Sequence, residues 1–86
     1  MKLIILDRDG VINQDRDDFV KSADEWIPIE GSMDAIAFLT QAGYTVAVAT
    51  NQSGIGRKYF TVQDLTEMHA KMHRLAVQAG GAIDGI

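Results

Sequence analysis

Apolar residues along the chain fall into two short runs and two longer periodic stretches. Lys2 to Leu6 is almost continuously apolar, the pattern of a strand buried on both faces of a parallel sheet. Tyr44 to Thr50 repeats the signal, with β-branched Val46 and Val48. Between them a helix is predicted from about Met33 to Gln41, with Ser32 as its N-cap and Gly43 where a C-terminal cap falls. Strand, helix and strand in this order predict one right-handed crossover with parallel strands. A second helix is predicted from Thr61, where Asp64 completes a capping-box signature. Its apolar positions, Leu65, Met68, Met72, Leu75 and Ala79, keep the helical period, and it stops at Gly80-Gly81. Residues 8–31 follow neither period. A connection of that length is uncommon in a compact domain and is often a lid or binding loop. It is read here as a lid, the alternative being a solvated loop with Trp26 packed beneath it.

Composition adds little to the fold but narrows the chemistry. With 47% hydrophobic and 23% charged residues, an ordinary globular composition, the 86-residue chain suits one small domain, which the strand–helix–strand order makes α/β. Eight basic residues against twelve acidic ones give a net charge of −4. That argues against a nucleic-acid surface, which needs a basic face to replace counterions. A small phosphorylated substrate is compatible, because a bound cation can supply local positive charge. The absence of cysteine excludes a disulfide framework or a thiolate zinc site within these residues. No run approaches membrane-spanning length and no signal-peptide pattern opens the chain, so the cytoplasm is the default compartment.

Asp7-Arg8-Asp9-Gly10 begins where the first strand ends, the position at which open parallel sheets bind ligands. Alternation along an extended chain would set Asp7 and Asp9 on one side and Arg8 on the other. Two carboxylates there could share one magnesium ion, a cation that prefers hard oxygen ligands. Asp7, ionised near neutrality, could attack phosphorus directly. Asp9 would carry the proton for the leaving alkoxide. Gly10 would let the backbone turn tightly against the phosphate. The second strand runs into Thr50-Asn51-Gln52-Ser53-Gly54. If the strands are neighbours, Thr50 and Asn51 lie beside Asp7 and donate hydrogen bonds to phosphoryl oxygens. Gln52, Ser53 and Arg57 complete this candidate substrate-binding set, whereas Lys58 reads as a solvated surface residue.

Asp7 to Asn13 and Thr50 to Ile55 resemble motifs I and II of the haloacid dehalogenase (HAD) superfamily. More narrowly, Asp-Arg-Asp-Gly-Val-Ile-Asn with Thr-Asn-Gln-Ser-Gly-Ile resembles the D-glycero-D-manno-heptose 1,7-bisphosphate 7-phosphatase family, whose pattern histidinol-phosphate phosphatases share. The resemblance covers essentially the whole chain. It implies the N-terminal portion of a doubly wound parallel-sheet, Rossmannoid phosphatase domain spanning residues 1–86. It implies Asp7 as nucleophile, Asp9 as acid and base, and Thr50 and Asn51 on the transferring phosphoryl group. Magnesium would be held by the Asp7 carboxylate and the Asp9 backbone carbonyl, in place of the carboxylate pair. Asp15 matches a substrate-contacting position. The expected substrate is a small sugar bisphosphate on the route to lipopolysaccharide heptose, handled by a monomer. The family's zinc loop, motif III lysine and motif IV aspartates would lie past Ile86. The chain is therefore read as cut short, with activity requiring residues beyond 86.

Other readings compete. Asn13, Asp15 and Asp17 alternate as in a calcium-binding EF-hand loop, but Asp18 stands in place of the sharp-turn glycine and Asp24 in place of the bidentate glutamate. His69 and His73 are four apart on a helix, yet a zinc-protease helix needs glutamate where Ala70 stands. They are expected to face solvent, opposite the Leu65, Met68 and Met72 stripe. A non-catalytic or partner-dependent fragment is the remaining alternative.

Overall fold

Both apolar runs become strands of one sheet. The computed structural model describes residues 2–15, 20–50 and 61–86. Strand β1 (Lys2–Asp7) pairs in parallel with β2 (Tyr44–Ala49), in a register running from Lys2 opposite Tyr44 to Asp7 opposite Ala49. Helix α1 (Ser32–Gln41) joins them, and α2 (Val62–Gln78) follows. The chain then returns to the free edge of β2. There the Val48 N–H donates to the Gly85 carbonyl and the Asp84 N–H to the Val46 carbonyl, both at 2.8 Å. The Asp84 carboxylate accepts the Val46 N–H at 2.9 Å, so this edge is satisfied by backbone and side chain together.

The register separates the two faces of the sheet. Ile4 and Leu6 stand opposite Val46 and Val48, and this face meets the helices. Val46 and Val48 are buried, and Leu6 packs against a core containing Trp26, Ile36, Met68, Met72 and Ala76. On the other face Leu3 and Ile5 remain 56% and 63% exposed. The expectation of a first strand buried on both faces is thereby corrected. Helices α1 and α2 contact each other and share one core with this face of the sheet, leaving Leu3 and Ile5 of the opposite face uncovered.

The helix ends follow local chemistry, with one difference from expectation. Thr61 and Asp64 form the capping box: the Asp64 carboxylate accepts the Thr61 N–H at 2.9 Å, and the Thr61 hydroxyl accepts the Asp64 N–H at 3.1 Å. Ser32, in contrast, is the first helical residue of α1 rather than its N-cap. Gly31 holds that place in the left-handed region, and the Ser32 hydroxyl donates to the Ile12 carbonyl at 2.8 Å instead. Along α2 the buried stripe is Met68, Met72 and Ala76, with Leu65 and Leu75 packed at its margins. Ala79 is the C-cap, because the chain turns at Gly80 with φ +96°.

The two described ends of the long connection, residues 8–15 and 20–31, are hydrogen-bonded rather than structureless. The Arg8 carbonyl accepts the N–H groups of Val11, Ile12 and Asn13 at 3.3, 2.8 and 3.2 Å, closing a tight turn. Beyond it, the Gln14 N–H donates to the Ile27 carbonyl at 2.7 Å and the Ile29 N–H to the Ile12 carbonyl at 2.9 Å. These bonds draw the two ends of the loop into a short antiparallel ladder, and Trp26 lies fully buried behind it. From α2, the Lys71 ammonium donates to the carbonyls of Ala23 and Trp26, each at 2.7 Å. No helix among the described residues is long and apolar enough to cross a membrane.

Candidate active site

Parallel pairing puts the carboxyl ends of β1 and β2 side by side, with Asp7 the last residue of one and Thr50 just past the other. A cavity of about 150 Å³ opens between them, lined by Asp7, Arg8, Asp9, Ala49 and Thr50. The Thr50 hydroxyl is buried and has no hydrogen-bond partner among the described residues. An orphaned hydroxyl beside a carboxylate is costly unless a ligand completes it.

Strand alternation does not carry past Asp7, because the turn on the Arg8 carbonyl begins there. Asp9 is placed instead by its side-chain partners. The Arg8 guanidinium donates through Nε to Asp9 Oδ1 and through Nη2 to Asp9 Oδ2, both at 3.0 Å. The Asn13 amide donates to Oδ1 at 2.9 Å. Alternation predicts Arg8 on the side opposite Asp9, but the guanidinium instead turns onto the Asp9 carboxylate, and Arg8 lines the cavity as a buried residue at 2% exposure. Its third nitrogen, Nη1, lies 3.1 Å from His69 Nε2. Gly10 takes φ +85° and donates its N–H to the Asn13 carbonyl at 2.8 Å, a conformation that strains any side chain. Asp15 is exposed and outside the cavity lining. Asn51, Gln52, Ser53 and Arg57, with neighbouring Lys58, lie outside the described residues, as do Asp17 and Asp18 of the calcium reading.

Three residues of this cluster escaped sequence reasoning as site elements: Arg8, Asn13 and His69. The expectation that His69 faces solvent is corrected. Its position next to the Met68 and Met72 stripe turns the ring toward the strand ends, where it lines a cavity of about 580 Å³ with Val48, Ala49, Thr50, Leu65 and Ile86. Burial, then the positive charge of Arg8 and a smaller push from His73, lower its pKa to about 4 against a weaker opposing pull from Asp9. The available signal in the sequence was an arginine set between two acids at a strand end, whose burial there calls for a further partner.

Two hard oxygens are available to a cation: the Asp7 carboxylate and the Asp9 carbonyl, on which no hydrogen bond from the described residues ends. Among those residues no cluster of three or more His, Cys, Asp or Glu side chains forms a closed cage. A half-open pair beside a phosphate-sized cavity suits magnesium, which keeps several waters and binds through one or two carboxylates together with substrate phosphate.

A parallel sheet with its helices, its first strand ending in Asp7 and its second running into Thr50, is the N-terminal portion of a HAD-like, Rossmannoid phosphatase fold. No family model matches the chain. It is 91% identical over 86 residues to the D-glycero-beta-D-manno-heptose-1,7-bisphosphate 7-phosphatase of Neisseria meningitidis serogroup B, covering all of this chain and 46% of that protein. The crystal structure of D,D-heptose 1,7-bisphosphate phosphatase from Bordetella bronchiseptica, complexed with magnesium and phosphate, superposes with a TM-score of 0.98 at 62% identity over all of this chain and 48% of that one. The corresponding enzyme of Burkholderia thailandensis gives a TM-score of 0.79 at 55% identity, over 100% and 51%. In sequence and in fold, the chain matches the N-terminal half of the heptose-1,7-bisphosphate 7-phosphatases of the haloacid dehalogenase superfamily. It spans about half the length of the relatives it matches.

Proposed function

We propose that the chain carries the nucleophilic half of a magnesium-dependent phosphatase acting on a small sugar bisphosphate. The substrate suggested by its relatives' names is D-glycero-D-manno-heptose 1,7-bisphosphate, with the 7-phosphate removed. An Asp7 oxygen attacks phosphorus, the bond to the sugar oxygen breaks, and Asp9 gives that oxygen a proton. Asp9 then takes a proton from the water that hydrolyses the aspartyl-phosphate, releasing inorganic phosphate and restoring Asp7. Arg8 and Asn13 keep the Asp9 carboxylate at the cavity, and the Thr50 hydroxyl donates to a phosphoryl oxygen. Asn51, Gln52, Ser53 and Arg57 complete the substrate contacts together with Gly10 and Asp15, which belong to the lid-like loop of residues 8–31. Magnesium, held by the Asp7 carboxylate and the Asp9 carbonyl, would neutralise phosphoryl charge. The setting is the cytoplasm, in supply of heptose for lipopolysaccharide, with the enzyme working as a monomer.

The observation that carries this reading is the unpartnered Thr50 hydroxyl sharing one cavity with the Asp7 carboxylate. The test uses the protein expressed from its own gene, assayed with magnesium for phosphate release from heptose bisphosphate and from histidinol phosphate. Turnover of the heptose substrate is expected, abolished in Asp7→Asn because an amide is not the attacking oxygen. Asp9→Asn is expected to leave residual phosphorylation of Asp7 with slow release of alcohol. Full-rate Asp7→Asn would remove the mechanism, and preference for histidinol phosphate would replace the substrate.

A further inference from the structure

We infer that His69 is a positioning residue for Asp9, accepting a hydrogen bond from Arg8 and so fixing the guanidinium that grips the Asp9 carboxylate. The inference rests on the reading of Asp9 as acid and base given above. A guanidinium has five N–H donors and no acceptor. At 3.1 Å from Arg8 Nη1, His69 Nε2 is therefore the acceptor, and the ring proton sits on Nδ1. The partners of Arg8 divide cleanly. Nε and Nη2 form the fork on Asp9, which leaves Nη1 as the outward corner of a side chain only 2% exposed. His69 takes that corner from α2, 61 residues along the chain. Burial and the adjacent Arg8 charge keep the ring neutral, as an acceptor must be.

Without an acceptor at position 69, Nη1 is left as a buried unpaired donor, or the guanidinium rotates toward water. Rotation carries the Asp9 carboxylate with it, because the fork is bidentate and planar. Asn13 restrains only one of the two carboxylate oxygens. His69 therefore sets the angle of Asp9 without touching it.

The test uses ¹⁵N-labelled protein expressed from its own gene. Wild-type His69 is expected to show ring nitrogen shifts of the Nδ1–H form, with Arg8 Nε–H exchanging slowly. His69→Gln, whose amide oxygen can accept the same bond, should keep that slow exchange. His69→Phe should speed it by about tenfold or more, the change for a lost hydrogen bond to a charged group. In the same variants kcat should fall with Phe and recover with Gln while KM stays put, a split that a purely structural brace would not produce. An Nε2–H form in the wild type, or unchanged Arg8 exchange in His69→Phe, overturns the inference. Should His69→Phe fail to fold, the wild-type tautomer and His69→Gln still decide. Full activity of Asp9→Asn would sink the acid–base reading instead, and would leave the tautomer result untouched.

Discussion

Thr50 is the residue at which stability and proposed function pull in opposite directions. Its hydroxyl is buried beside Asp7 with no partner among the described residues. Leaving a polar atom dry costs about 1–3 kcal/mol, so Thr50→Val, which keeps the branched shape, is expected to raise stability by about 1 kcal/mol in denaturant titration. The same change should lower kcat by roughly 100-fold, the usual loss when one preorganised donor to a developing oxyanion is removed. A variant less stable than the wild type, or one with unchanged turnover, would show that the hydroxyl is satisfied elsewhere. Asp7 and Thr50 were legible in the sequence because each stands at the end of an apolar strand run. Asp9, by contrast, was read from strand alternation, which stops one residue after Asp7. Its neighbours Arg8 and Asn13 control it through hydrogen bonds that no periodicity encodes.

At the level of elements, the close approach after α2 is the most exacting fit. A Cβ built on Gly81 would stand 2.9 Å from the backbone N and Cα of Ala37 and 3.2 Å from the Ile36 carbonyl carbon. Backbone atoms inside a helix cannot step aside, so Gly81→Ala should destabilise by about 1–3 kcal/mol, visible as a lower urea midpoint. Lys71 does a different task, holding the Ala23–Trp26 turn against α2 through two 2.7 Å bonds. Lys71→Met keeps the apolar stem but loses the donor. Amide exchange at Trp26 should then quicken at least tenfold while amides in β2 change little, a local release worth about 1.5–3 kcal/mol. The two strands, both helices and the capping box at Thr61 were readable because period and local chemistry agree there. The short ladder between residues 12–14 and 27–29 was not, since three residues per side carry no period. The exposed face of β1 was also missed, because an apolar run reports which residues can be buried and not how many layers cover them.

On the scale of the molecule, one half-buried histidine makes stability respond to acid. His69 has a folded-state pKa of about 4 against the ordinary 6.5, owing first to burial and then to Arg8 and His73, with Asp9 opposing. Between these values the unfolded chain binds the proton and the folded chain does not. Stability from this group is complete above pH 6.5, declines as pH falls toward about 4, and loses nothing more below that. Allowing for solvent screening at a half-exposed site, the decline is on the order of 1 kcal/mol. Comparing urea midpoints across this window in the wild type and in His69→Gln checks it: the substitution should flatten the slope, and equal slopes would refute the assignment. The Arg8–His69 contact also has a meaning in time. It joins positions 61 residues apart, so it can close only after the intervening chain has folded back and α2 has docked. A ribosome that has released β1, α1 and β2 has already delivered Asp7, the proposed nucleophile, and Thr50, but the Arg8–His69 contact beside Asp9 waits for α2. Positioning of Asp9, the proposed acid, is thus coupled to the docking of α2, and a nascent chain holds Asp7 in place before it fixes Asp9.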